Sequence, residues 1–330
     1  MDDQLRQLAE RRFVVADGLD VVPLSEDEVL IRFGTRSEPT ELLRDIDLHG
    51  TLAEMFRRFE QGPRSVDELT QGFEGERLRD ARETLTDLIE RGILVDASAS
   101  LLEHYLGFAL TGASSLADAR VGVIDTGSVG RRFAAALGEL GVEPAAFAHD
   151  ADDVESLGEF ARNVRVGVVA LDGPNVYLPH VVNRVFLREQ TPWLLATLDG
   201  ARGLIGPLFV PGRTACYNDL DVLATSNWAA PTVERRYRRH LRANARRIAS
   251  GPPIHGSLVA DYAALATLQF LLRGCSFAVG RLLTIDFERM RIDVENVLRL
   301  PRCPVCGDLR RSARAPLPVD LSLDAPSTGR

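Results

Sequence analysis

Lysine is absent from all 330 residues, so every one of the 39 Lys-plus-Arg positions is an arginine. That excludes any mechanism that needs a lysine amine, and it reads as a genome-wide codon bias rather than a design for phosphate binding. Cysteine is scarce: the four at 216, 275, 303 and 306 are too few for a disulfide scaffold of this size. In a reducing compartment a close cysteine pair is more often a metal site or a redox pair. No apolar run approaches the ~20 residues of a membrane span. The opening "MDDQLRQLAERR" lacks the apolar core of a signal peptide, which points to the cytoplasm. Positive charge is also short overall. The net charge of −8 argues against a general nucleic-acid binder. "ERRYRRHLRANARR", residues 234–247, is the local exception, with a solvated helix face as its default reading. What remains is ordinary globular composition, 45% hydrophobic and 26% charged, in a chain long enough for two domains.

The first hundred residues and the remainder follow different patterns. "RFVVA", "LDVVPL" and "EVLIRF" read as short strands between residues 12 and 33. "TLAEMFRRFE" (51–60) sets Leu52, Met55, Phe56 and Phe59 on one helical face. "SVDE" (65–68) is a capping box, and Gly92 suits the position after a helix over 77–91. Strands, three helices and a returning strand make a winged-helix unit over residues 1–97. A linker follows over 98–119. From Arg120 apolar strands alternate with amphipathic helices, which predicts an α/β domain over 120–308 with a Rossmann-type, mostly parallel sheet. "GRLLTIDFERMRIDVENVLRL" closes it with antiparallel-looking strands. The Pro- and Ser-rich tail from 309 to 330 reads as disordered.

The first strand–helix turn of this domain, V-G-V-I-D-T-G-S-V-G (121–130), is a degenerate nucleotide motif. Gly127 and Gly130 hold the second and third glycine positions, and Asp125 replaces the first. A carboxylate there would oppose a pyrophosphate at the helix N-terminus. Arg131 and Arg132 follow inside the first turn and could offset it. Asp150 stands where an acidic residue often grips a ribose, although a plain acidic loop is the commoner explanation. The turn reads as a strand–helix unit kept for packing.

Cys303 and Cys306 form a CxxC in "LRLPRCPVCGDLR". A tetrahedral zinc needs two more ligands, and "CYND" supplies Cys216 with Asp219 at the same spacing. The candidate tetrad is therefore Cys216, Asp219, Cys303 and Cys306. The alternative is that Cys216 is core, Asp219 is a surface residue and Cys303 and Cys306 are a reduced thiol pair. Cys275, in "LLRGCSFAVG", reads as a core cysteine.

"LIGPLFVPGRTACYNDL" (204–220) and "LRLPRCPVCG" (298–307) resemble the ThiF/MoeB-like partner proteins of YcaO cyclodehydratases. These serve the biosynthesis of azole- and azoline-bearing ribosomal peptides. The resemblance runs to about residue 308. It implies a PqqD-like N-terminal recognition element, a ThiF-like domain and a structural zinc. Cys216, Cys303 and Cys306 match the zinc motifs; Asp219 departs from them. The partners it implies are the leader of a precursor peptide and a YcaO cyclodehydratase, and a homodimer is compatible with it. It implies no catalytic residues of the chain's own, with ATP left to the cyclodehydratase. An extended leader would add to a sheet edge. By resemblance that edge is "EVLIRF", walled by the third helix. The candidate contacts are Val29, Leu30, Ile31, Leu78, Ala81, Arg82 and Leu85, and strand alternation makes about half of the apolar ones core.

The competing reading is an ATP-dependent, ThiF-like adenylating enzyme of peptide natural-product biosynthesis. The degenerate turn, and the lack of an "NLxRQ"-like segment after Asp150, speak against it. A winged-helix DNA-binding regulator is disfavoured by charge, because "RLRDARETLTDLIER" mixes both signs where a recognition helix needs a basic face.

Overall fold

Three apolar runs separated by the Gly18 turn and a Ser-Glu-Asp turn form β1 (Phe13–Val15), β2 (Leu19–Pro23) and β3 (Glu28–Phe33). The computed structural model describes residues 11–34, 41–45, 49–99, 116, 119–125, 127–148, 153–226, 228–243 and 251–307. The expected tail 309–330 lies outside them, as does most of the expected linker. The chain divides into two compact units, residues 1–114 and 115–330. No helix among the described residues is long and apolar enough to cross a membrane.

In the first unit, β4 (Glu41–Arg44) completes an antiparallel sheet in the order β2-β3-β4. Helices α1 (Thr51–Phe59), α2 (Val66–Leu69) and α3 (Gly75–Glu90) follow. β5 (Leu94–Asp96) returns to pair with β1. The Ser65 capping box is present in both directions, with Glu68 N donating to Ser65 Oγ and Ser65 N to Glu68 Oε2. Gly92 takes a left-handed φ of 68° just after the α3 C-cap, a conformation that suits glycine. Phe13, Ile31, Met55, Leu69, Leu85 and Leu88 fill the core.

β3 is the central strand, not the edge. Its backbone is paired from Leu19↔Phe33 to Pro23↔Val29 on one side and from Glu28↔Arg44 to Ile31↔Glu41 on the other. Among the described residues the outer strands of the sheet are β2 and β4, and an ion pair between Arg91 and Glu41 joins β4 to the end of α3.

The second unit carries a seven-stranded sheet in the order β12-β11-β10-β9-β8-β6-β7. β6 (Val121–Asp125), β7 (Ala145–Ala148), β8 (Val166–Leu171) and β9 (Trp193–Asp199) are mutually parallel. Helices α4 (Ser128–Gly138), α5 (Val154–Asn163) and α6 (Leu178–Arg188) connect them in turn. After β9 the Asp199-Gly200 turn reverses the chain without a helix. β10 (Arg202–Phe209), β11 (Arg281–Asp286) and β12 (Arg291–Asn296) therefore join antiparallel. The sheet is mixed, with three parallel and three antiparallel junctions, which corrects the expected mostly parallel sheet. Between β10 and β11 lie α7 (Tyr217–Ser226), α8 (Pro231–Ala243) and α9 (Pro253–Arg273). Cys275 is exposed just past the Gly274 C-cap of α9, not in the core, because the helix that would have buried it has ended.

Two glycines decide how the helices lie on this sheet. Gly122 of β6 and Gly167 of β8 are register partners. A Cβ on either would come within 2.4 Å of a ring, Phe160 of α5 or Phe186 of α6 respectively. The side chains absent from the strands are the space the two rings occupy. Gly167→Ala is expected to lower unfolding stability by about 1–3 kcal/mol through overpacking, read as a shifted midpoint in urea. An unshifted midpoint would show that Phe186 has room to move.

A candidate metal centre and a closed nucleotide turn

The loop after β10 is drawn tight by Thr214, whose hydroxyl accepts from Val210 N at 2.8 Å. Asn183 of α6 accepts from Tyr217 N at 3.0 Å and fixes the start of α7. Cys216 thereby sits just before α7 and Asp219 falls in its first turn. Cys216 N donates to Asp219 Oδ2 at 3.0 Å, one half of a capping box. The spacing C-x-x-D thus serves the helix start as well as a ligand set. From the other end, Gly307 N donates to Cys303 O at 3.0 Å and closes the second knuckle. A Cβ at Gly307 would stand 2.6 Å from that carbonyl, so the turn requires glycine.

These two turns bring Cys216, Asp219, Cys303 and Cys306 together, with one ligand atom from each lying within 4.8 Å of all the others. All four are buried, Asp219 completely. Cys216 Sγ is 3.7 Å from Cys303 Sγ, and Cys306 Sγ is 3.4 Å from Asp219 Oδ2. Asn218 Nδ2 lies 3.4 Å from Cys303 Sγ. Burial pushes the Cys216 thiol up to about 11, with the neighbouring Asp219 and Cys303 charges adding to it. Burial and the Cys216 charge push Cys306 up as well. Asp219 Oδ1 is buried without a hydrogen-bond partner. A dehydrated carboxylate oxygen with no donor is costly unless a cation compensates it. The donor set and its orphaned oxygen therefore fit a metal ion.

The glycine turn is closed from an unexpected direction. Asp172, at the end of β8, accepts from Ser128 N at 2.6 Å and from Val129 N at 2.8 Å. A carboxylate of the chain itself takes the α4 N-terminal donors that would face a phosphate. Gly127 makes room for it: a Cβ there would lie 2.2 Å from Asp172 Oδ2. Its φ of 173° is ordinary extended backbone, so space and not conformation calls for glycine. Gly130 is buried within α4. Arg131 and Arg132 are exposed, and Arg132 bonds the hydroxyl of Ser257 on α9 rather than the turn. Asp125 ends β6, and Asp150 lies outside the described residues. Sequence reasoning passed over Asp172, which follows β8, the strand next to β6 in the sheet.

In the first unit, Val29, Ile31, Ala81 and Leu85 are core residues at 1% exposure or less, so their side chains cannot meet a peptide. Leu30 and Leu78 are half-buried, and Arg82 reaches Asp67 of α2 at 3.6 Å.

No family model and no curated protein matches the chain. Solved structures do. The heterocyclase TruD aligns at 20% identity and a TM-score of 0.67, over 94% of this chain and 45% of its own. A heterocyclase in complex with substrate and cofactor aligns at 17% and 0.67, over 94% and 42%. MccB of E. coli with ATP aligns at 14% and 0.58, over 90% and 100%. The chain spans less than half the length of these two heterocyclases. At such identities the likeness shows a shared fold and no more.

Asp172→Ala is expected to cost about 1–3 kcal/mol by stripping the buried Val129 amide and the part-buried Ser128 amide of their acceptor, measured by denaturant unfolding. Unchanged stability would show that the Asp172 bonds contribute nothing.

Proposed function

We propose that the chain is a leader-peptide-binding scaffold that recruits a ribosomal precursor peptide to a separate YcaO cyclodehydratase for azoline formation at Cys, Ser or Thr. The observation that carries this reading is Asp172 in the α4 N-terminus. An adenylating protein needs those donors for nucleotide phosphates, and here they are spent. The fold shared with a heterocyclase supports a role in peptide natural-product biosynthesis.

The first unit is the proposed PqqD-like, winged-helix recognition element. Because β3 is central, a leader would add to an outer strand, and the one proposed is β4, which an ion pair joins to α3. The leader's backbone would pair with β4 and its side chains would supply specificity. Of the residues expected to touch it, Leu30, Leu78 and Arg82 remain available. Val29, Ile31, Ala81 and Leu85 act from beneath, by holding the sheet against the helices.

Zinc is the metal proposed for the second unit. A tetrahedral zinc with bonds of about 2.3 Å to sulfur has sulfur–sulfur edges of about 3.8 Å, and Cys216 and Cys303 stand 3.7 Å apart. Four protein ligands leave no open position for water, so the role is structural. The ion would tie residues 303–306 to the start of α7.

Removing residues 1–97 is expected to abolish binding of the precursor encoded beside the cyclodehydratase gene, measured by calorimetry. Retained affinity would refute the assignment. In the same instrument ATP–Mg²⁺ should show no tight binding. Tight binding lost in Gly127→Asp would favour the adenylating reading instead. Metal analysis should find about one zinc per chain, and a metal-free, fully folded protein would leave the cysteines as plain thiols.

A further inference from the structure

The arginine-rich segment around residue 240 has no part in the function proposed above. Residues 231–247 hold seven arginines and a single acidic residue, Glu234. The structure turns Arg235, Arg238, Arg239 and Arg242 of α8 toward α6 and α7, around a cleft of about 770 Å³. Arg184 of α6 lines the facing wall. We propose that this cleft binds an acidic peptide segment, with the α8 guanidiniums gripping its carboxylates.

The cleft already holds one carboxylate of the chain's own. Asp221 of α7 receives both terminal nitrogens of Arg238, Nη1 at 3.1 Å, and lies 3.1 Å from His180 Nε2. Burial opposes its ionisation, but His180 and Arg238 outweigh that and keep the carboxyl below its ordinary value. Two guanidiniums are set in place by aromatic rings: Arg238 over Trp228 at 5.5 Å and Arg242 over Tyr177 at 4.9 Å. Among the described residues no carboxylate pairs with Arg184, Arg239 or Arg242. Planar, always-charged forks without acidic partners favour carboxylates or phosphates.

Three observations select a peptide. Neighbouring arginines on the α8 face lie ~5–6 Å apart. Alternate side chains of an extended chain repeat every ~6.6 Å, so acidic side chains on a strand can meet them in turn. The α6 N-terminus offers no phosphate cradle, because Asn175 Oδ1 accepts from Tyr177 N and Leu178 N, each at 3.0 Å. A longer nucleic acid would meet a protein of net charge −8.

The test is fluorescence anisotropy of labelled hexaglutamate titrated with the full chain, with hexaglutamine as control. Hexaglutamate should bind saturably and more weakly as salt rises, and hexaglutamine should not bind. Arg235→Glu with Arg239→Glu, both at solvent-accessible positions, should weaken binding roughly tenfold or more. Arg165→Glu with Arg213→Glu changes net charge equally but lies outside the cleft, and should leave binding near the wild-type value. Equal losses in the two double variants would overturn the proposal. So would tighter binding of ATP or a six-nucleotide RNA by the same α8 arginines. Hexaglutamate contains no leader, so failure here leaves the role of the first unit untouched.

Discussion

Asp172 reaches from the end of β8 into the first turn of α4, and its two oxygens take the amide hydrogens of Ser128 and Val129. The place matters because the strand order reverses there. β7 lies on one side of β6 and β8 on the other, and the crevice between β6 and β8 is where open α/β sheets bind ligands. A carboxylate fixed in that crevice both fills the donors and sets a negative charge where a phosphate would come. Gly127 then needs no nucleotide to explain it, since only a residue without a Cβ leaves room for the Asp172 oxygens. The strand order of an open α/β sheet is kept while the crevice is shut by the chain's own side chain.

Asp219 shows the same economy at the other end of the domain. One of its oxygens accepts from Cys216 N and belongs to the start of α7. The other is buried with no partner. A cysteine at 219 would give the thiolate set a fourth sulfur but could not complete the helix cap as a carboxylate does. The cap therefore accounts for one oxygen and the metal reading for the other, and only the second depends on an ion being bound.

Most of the fold was legible because its signals are local. Period-two and period-3.6 apolar patterns marked β1, β2, β3 and most of the helices, α7 excepted. Ser65 with Glu68 announced a cap, and two half-motifs 87 residues apart announced one buried cluster. The failures have separate causes. β4 is "ELLR", four residues with no β-branched side chain, and nothing in its pattern favours strand over helix. Missing it left β3 as the apparent edge of a sheet in which it is the central strand. The parallel sheet was overextended because alternation of strands and helices runs on to β9, where the Asp199-Gly200 turn ends it. Asp172 was invisible for a different reason: its partners are 43 and 44 residues away, and no spacing rule links a strand end to another helix's first turn.

The helix starts in the second unit explain why its cationic chemistry sits on side chains. Each helix that follows a parallel strand spends N-terminal amides on the chain's own oxygens. In α4 the acceptor is Asp172, in α5 it is Asp153, which takes Ser156 N at 2.9 Å, and in α6 it is Asn175. Asp219 adds a contact at the start of α7. The partial positive charge that helix N-termini would lend to an anion is thus compensated at every βα junction of the parallel strands. The guanidiniums of α8 and Arg184 are full cations, and among them Asp221 pairs with Arg238. Backbone cradles suit compact phosphates, whereas a row of flexible forks suits charges distributed along a chain. With the crevice closed and the helix face open, an anion's route to this domain lies over α8.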